Sequence, residues 1–374
     1  AKLSKHCMTI LAFVFYLVIN SQIFWTISEF RRRHRLALEN LLCESIRLAD
    51  EAGFVKMNQV AVDGTKIIAN ASKHSAMSYG YILKEEERLK KLVRDYLDQL
   101  ETNDLADDGQ YGDHSDWELP EELSTSQKRL EAIKKAKAVI EAEAIAKTRG
   151  KQDKSKERAE KQGKRYKPRK DPEEVKPDDK DQYNFTDPES RIMKNSDKAF
   201  VQAYNAQATV DVDSHIILAA DVTNNASDRK ELQSQMVQVM QNTDLKPSIC
   251  SADAGYFSET NLEYLELVKI DALIPADKIK HSEWRARVRY YGRIPKNASR
   301  AYRMRRKLRT RQGRALYKHR MTSVEPVFGF IKEQLHLRQF VHRGIDKVRS
   351  IWRFTCAVHN LLKLYRAGIS FKTV

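Results

Sequence analysis

Short apolar stretches bounded by turn residues recur along this chain, and they commit it to a fold built on a sheet. Val60 and Val62 lead a predicted strand over residues 59–68. Phe200, Tyr204, Ala206, Ala208 and Val210 alternate with smaller or polar residues, the period of a half-buried strand. The turn Asp211-Val212-Asp213-Ser214 leads into 215–222, where Ile216-Ile217-Leu218-Ala219-Ala220 reads as a buried strand. Residues 224–228 break it. A helix over 229–242, a strand over 248–252, a helix from Ser258 and a short strand over 272–275 follow. An antiparallel pair and then alternating helices and strands describe a mixed α/β sheet flanked by helices.

Helical spacing governs the rest. Residues 1–56 read as an all-α region, with Ser28 capping a helix that carries Phe30, Leu36, Leu38, Leu41, Leu42, Ile46 and Leu48. Over 83–147, Leu89, Leu92, Leu130, Ile133 and Ile140 belong to two apolar stripes separated by a polar loop, so an antiparallel helical hairpin is expected, with Pro120 at the start of its second arm. Residues 148–182 hold almost nothing apolar and read as a charged, disordered linker. The sheet domain is therefore expected in two parts, 57–82 and 183–366, with a tail at 367–374. Helices are predicted near 299–317, 326–335 and 346–366, the last burying Val348, Ile351, Trp352, Thr355, Val358, Leu361, Leu362 and Tyr365.

The formal charge is +16 and the pI about 9.5, which favours a polyanionic partner. No Asp or Glu lies between Glu283 and Glu325, while Arg305, Arg306, Arg309, Arg311 and several further arginines do, a density suited to bidentate phosphate contact. Cys7, Cys43, Cys250 and Cys356 are far apart and form no CxxC pair, which argues against a zinc site or a disulfide framework and for a reducing cytoplasm. The apolar run from Met8 to Asn20 is shorter than the roughly 20 residues that cross a bilayer, so a buried helix and no stable membrane association are expected.

Two carboxylates end apolar strands beside small residues: Asp63 before Gly64, and Asp253 before Ala254-Gly255. Such positions can hold a hard divalent cation by oxygen, and two such ions about 4 Å apart support phosphoryl transfer. Either Asp alone is equally a turn or a helix cap. Glu325 is the first acid after the arginine-rich stretch, and Pro326 beside it suits a first helical turn, which would put Glu325 at a helix N-terminus. Asp211 and Asp213 are assigned to a turn and Asp221 to a strand end, with Asp221 as reserve metal ligand. His281, His319 and His342 lack metal-ligand spacing. Trp117 and Trp284 are read as packing residues before base-stacking ones.

These blocks resemble the DDE-type transposases of bacterial insertion sequences. Val62-Asp63-Gly64-Thr65-Lys66 with Asn70-Ala71-Ser72-Lys73-His74 is similar to the first catalytic block of that family. Tyr204-Asn205-Ala206-Gln207-Ala208 and Asp221-Val222-Thr223-Asn224 are similar to its next strands. Ala252-Asp253-Ala254-Gly255-Tyr256-Phe257-Ser258 resembles the second block, Val324-Glu325-Pro326-Val327-Phe328-Gly329 the third, and His359-Asn360-Leu361-Leu362-Lys363-Leu364 the close. The resemblance implies an RNase H-like fold in which Asp63, Asp253 and Glu325 bind two Mg2+ ions, with Mn2+ as substitute. It implies nicking of double-stranded DNA at terminal inverted repeats and attack of the freed 3′-OH on target DNA, by a homodimer in the DNA complex, in the bacterial cytoplasm at the nucleoid. Tyr317, Arg320, Glu325 and Lys332 match the family's Tyr, Arg, Glu, Lys signature in order, with phosphate binding the implied role of Arg320 and Lys332. The interval from Arg320 to Glu325 is one residue longer than in the family's form. Residues before about Ile27 depart from the family, so truncation is expected there. A domesticated DNA-binding protein without catalysis and a hydrolytic RNase H-like nuclease remain the alternatives.

Overall fold

The computed structural model describes residues 33–107, 121–161, 163–167, 171–195, 199–277 and 292–369. The apolar run at Met8, Trp117, Pro120, His281 and Trp284 lie outside them. The described residues fall into two compact units, one from those up to Asn70 and from Glu189 onward, the other from those between Ala71 and Pro188.

The first unit holds a six-stranded sheet. Its strands are β1 (Gln59–Ile68), β4 (Arg191–Lys194), β5 (Phe200–Asp211), β6 (Ile217–Thr223), β7 (Ile249–Ala252) and β8 (Asp271–Leu273). β5 pairs antiparallel with β1 along one edge and with both β4 and β6 along the other; β1, β7 and β8 run parallel. Four strands joined by antiparallel pairing, β4, β6, β5 and β1, extended by two parallel ones and flanked by helices, make this an RNase H-like fold. β5 was expected to be half-buried and is instead buried along nearly its whole length. The reason is cover on both faces: the Thr209 hydroxyl meets Gln235 at 3.0 Å on one side, and Tyr204 packs edge-on against Phe340 on the other.

Four helices matter to the core of this unit: α1 (Arg35–Glu51), α4 (Leu232–Thr243), α7 (Arg311–Glu333) and α8 (Ile345–Arg366); α5 (Glu259–Leu267) and α6 (Arg300–Lys307) are shorter. α1 buries Leu38, Leu41, Leu42, Ile46 and Leu48, whereas Leu36, placed on its apolar stripe by spacing, is exposed. The buried side of α8 is rotated from the expected one. Val348, Trp352, Cys356, His359, Asn360 and Leu364 point inward, and Tyr365 points to solvent. Polar anchors set that phase. Asn360 is fully buried, its Oδ1 accepts the Ile217 N–H at 2.8 Å, and its Nδ2 donates to the Ile217 carbonyl at 2.9 Å and to Ser45 Oγ at 3.2 Å. Asp211 likewise serves structure: its two oxygens accept four backbone N–H groups, from Lys56, Met57, Asp213 and Ser214.

The second unit contains α2 (Tyr79–Asp107), α3 (Glu121–Lys161) and the short pair β2 (Ala76–Ser78) and β3 (Gln182–Asn184). α3 continues to Lys161, into residues expected as linker. The two helices share a small core of Ile82, Leu89, Ile133, Ala136 and Ile140 with Tyr79. Beside it, Glu85 and Glu86 are buried and fully paired. Glu85 meets Arg88 at 2.8 Å and Arg129 at 3.0 Å, and Glu86 meets Lys137 at 3.0 Å and Lys90. Hydrogen bonds from Arg88 to Glu85, and from Lys90 and Lys137 to Glu86, outweigh burial and hold both carboxyls below their ordinary value of 4.5. Because the folded value is depressed, this stabilisation is present above 4.5 and is lost as pH falls through the lowered value. Melting followed by circular dichroism is expected to drop more steeply below pH 4.5 in the unmodified chain than in a Glu86→Gln variant; equal slopes would refute the pairing as a source of stability.

Candidate active site

The parallel pairing of β1 with β7 sets Val62 opposite Ala252, so Asp63 and Asp253 are the next residues along two neighbouring strands. Each is held by its own turn. Asp63 Oδ1 accepts the Gly64 N–H at 2.8 Å, and Asp253 Oδ1 accepts the Gly255 N–H at 2.8 Å as the cap of a single 3-10 turn, Ala254–Tyr256. Burial pushes the Asp63 carboxyl above its ordinary range. The Arg320 guanidinium and the Gly64 N–H pull it down, and the charge of Asp253 adds to the push. Arg320 reaches Asp63 Oδ2 with Nη1 at 2.8 Å, and its guanidinium lies 5.9 Å from the ring centre of Tyr317. Burial raises the Tyr317 hydroxyl too; Arg320 opposes, and both aspartates contribute. Asp63, Asp253, Tyr317 and Arg320 thus form one electrostatic cluster.

Glu325 lies five residues beyond Arg320 on α7. The expected helix start at Pro326 is not there; Pro326 lies inside α7 and Glu325 with it. Pro326 removes one ladder hydrogen bond, and burial of Ser323, Val324, Val327, Phe328 and Ile331 on either side of it carries the helix through. Glu325 is exposed on the opposite side from that stripe. Arg311, Lys318, Glu325 and Lys332 recur every seventh residue and so share one ridge of α7, with Arg314 beside it. Among the described residues no three Asp, Glu, His or Cys side chains stand together as a metal-ligand group. Strand pairing brings Asp63 and Asp253 together, and Glu325 is carried separately, on α7.

A network the sequence did not single out lies behind Asp63. Lys66, three residues on, emerges from the other face of β1 and donates to Asp228 Oδ1 at 3.0 Å. The same oxygen accepts from Asn205 Nδ2 at 2.6 Å and Gln207 Nε2 at 2.9 Å. Gln207 Oε1 in turn accepts the hydroxyl of the fully buried Tyr256. Gly64 leaves room for this network: a Cβ on it would sit 2.2 Å from Gln207 Nε2 and 3.0 Å from Asp228 Oδ1, so a larger residue would displace those side-chain ends. The sequence marks Asp228 only as the end of a strand break. Its available signal is the pair Asn205 and Gln207, two amides alternating with Tyr204, Ala206 and Ala208 in the middle of a buried strand. Asp221, the reserve ligand, is committed elsewhere: Arg349 Nε donates to it at 2.6 Å and Gln238 Nε2 at 3.3 Å.

The arginines divide by location. Arg305 forms a two-point pair with Asp277, at 2.6 and 2.8 Å, and Arg306 donates to the Gly292 carbonyl at 2.5 Å. Arg300 faces Glu259, Glu263 and Glu266. Arg309 helps to lower the Asp277 carboxyl, after Arg305. Arg311, Arg314 and Lys318 are exposed on α7 and make no ion pair among the described residues.

The donor set suits a hard divalent cation. Two carboxylates on adjacent strands are flanked by glycines, and burial and like charge both oppose ionisation of Asp63, a penalty that a cation between them relieves. Among the described residues no helix is long and apolar enough to cross a membrane. No curated protein and no solved structure matched the chain. The family profile described as Transposase DDE domain matches residues 113–361, more than half of the chain, and takes in Asp253, Arg320 and Glu325 but begins after Asp63. Asp63 is therefore tied to the site by strand pairing rather than by that match. With this sheet, these paired aspartates and that match, the chain belongs to the transposase DDE domain family, whose substrate is DNA.

Proposed function

We propose that the protein is a DNA transposase that cleaves strands at terminal inverted repeats and joins the freed 3′-OH to target DNA, with Asp63, Asp253 and Glu325 as its catalytic carboxylates. The observation that carries this reading is the adjacency of Asp63 and Asp253 on β1 and β7. Those two side chains would hold Mg2+, or Mn2+ in its place, and Glu325 would complete the set. Such a cation, when bound, supplies Lewis acidity to the reacting phosphate. The chain's own residues do the rest. Arg320 fixes the Asp63 carboxylate through its 2.8 Å contact. The α7 ridge offers Arg311, Lys318 and Lys332, with Arg314, to the DNA backbone on both sides of Glu325. Arg305, Arg306 and Arg309 belong to the same reading as DNA contacts, though the first two also hold Asp277 and Gly292. Two copies, one per terminal repeat, are the expected assembly on DNA.

The exposed basic side chains Arg311, Arg314 and Lys318 on α7 favour one second reading, a DNA-binding protein without catalysis. Incubation of the chain with DNA carrying the repeats that flank its gene separates the two. Nicking at the repeat ends that needs Mg2+ or Mn2+ and disappears in Asp253→Asn is the expected result, and strand-transfer products distinguish a transposase from a hydrolytic nuclease. Binding without cleavage by the unmodified chain would overturn the catalytic reading.

A further inference from the structure

Asp228 adds a side-chain tie between segments that strand pairing already brings side by side. From β1 it receives Lys66, and from β5 Asn205 and Gln207, all on Oδ1. Gln207 carries the connection to Tyr256, three residues after Asp253. A second tie runs in parallel: Asn261, also buried, donates to the carbonyls of Arg229 at 2.8 Å and Tyr256 at 2.7 Å, the neighbours in sequence of Asp228 and of the Asp253 turn. The other oxygen of Asp228 faces the Asp253 turn. The point where a Cβ on Gly255 would stand is 2.8 Å from Asp253 Oδ1 and 3.6 Å from Asp228 Oδ2.

Lys66 makes this arrangement a matter of charge as well as of shape. Its ammonium is mostly buried behind the strand that carries Asp63, where an uncompensated positive charge would oppose cation binding in front. Asp228 cancels it at 3.0 Å. Resting on the metal-binding reading of Asp63 and Asp253, we propose that Asp228 is a positioning residue of the active site, which anchors both aspartate-bearing segments and neutralises Lys66 behind them.

The test is Mn2+ affinity of the full chain, read from the electron paramagnetic resonance of free Mn2+, with folding of each variant checked by circular dichroism. Asp228→Asn keeps the shape and removes the charge, and it is expected to weaken Mn2+ binding about tenfold or more, the size seen for groups that support metal ligands. The double variant Lys66→Met with Asp228→Asn removes the stranded ammonium and is expected to recover to within about threefold of the unmodified chain on the same charge argument. Asp221→Asn deletes a carboxylate of similar exposure that is paired with Arg349, and no change in affinity is expected. Undiminished binding by Asp228→Asn overturns the proposal, and so does equal loss in the single and double variants. Absence of Mn2+ binding by the unmodified chain would overturn the metal-site reading itself, and this proposal with it.

Discussion

Replacing Glu325 by glutamine is expected to leave the melting temperature unchanged and to reduce metal-dependent DNA cleavage by about three orders of magnitude. The first half follows from location. Glu325 is exposed, carries no ion pair among the described residues, and lies on the side of α7 opposite the buried stripe. Glutamate and glutamine have nearly equal helix propensity, and surface exchanges of this kind stay within roughly 0.5 kcal/mol. The second half follows from chemistry. A carboxylate that supports a catalytic cation contributes several kcal/mol to the barrier, and each 1.36 kcal/mol is tenfold in rate, so a loss of about 4 kcal/mol gives about a thousandfold. A nicking assay beside a thermal melt decides the matter. Unchanged cleavage would remove Glu325 from the catalytic set and leave the two aspartates to seek another partner. The same exchange at Asp63 is a less clean experiment, because it also strands the Arg320 guanidinium, which is largely buried.

The largest effect on stability is expected at Asn360. Its side-chain amide satisfies both main-chain groups of Ile217 on β6 and also reaches Ser45 on α1, so one residue of α8 ties a strand edge and a second helix together. Asn360→Leu keeps the branched shape and heavy-atom count of the side chain and removes every one of these bonds. The Ile217 N–H and carbonyl are then buried without partners, at about 1–3 kcal/mol each, and a total loss of about 3–5 kcal/mol is expected. For a chain of this size that corresponds to a fall in Tm of roughly five degrees. Chemical denaturation of the two proteins side by side measures it. A difference under about 1 kcal/mol would mean that water replaces the amide and that the contact is incidental.

Much of the sheet was legible because its strands are short apolar runs closed by turn residues. β1 falls on the expected residues 59–68, and Asp63 is found where the alternation of Val60 and Val62 put it. β2, β3 and β4 are as short as β7 and β8 but lack an apolar run closed by turn residues, so nothing in the sequence marks them. Hydrophobic spacing misjudged α8 because its phase is set by polar groups, Asn360 and His359, whose hydrogen bonds an apolar count ignores. At Pro326 a local preference for a first helical turn was overridden by the apolar residues on either side. Counting arginines measured charge without showing what already holds it, and Arg305 and Arg306 are held. Asp228 was invisible for a related reason. Its significance lies in Lys66, Asn205 and Gln207, which approach it only once β1 and β5 are paired.

The contact between Arg320 and Asp63 also sets an angle. Arg320 and Glu325 are five positions apart on one continuous helix, which places them roughly 140° apart about its axis, whereas a separation of four would place them roughly 40° apart. The ion pair therefore acts as an index mark for α7: by fixing where Arg320 points, it fixes the azimuth of Glu325 as well. Any turn of the helix about its own axis that brings the glutamate round toward the two aspartates carries Arg320 away from Asp63 by the same angle.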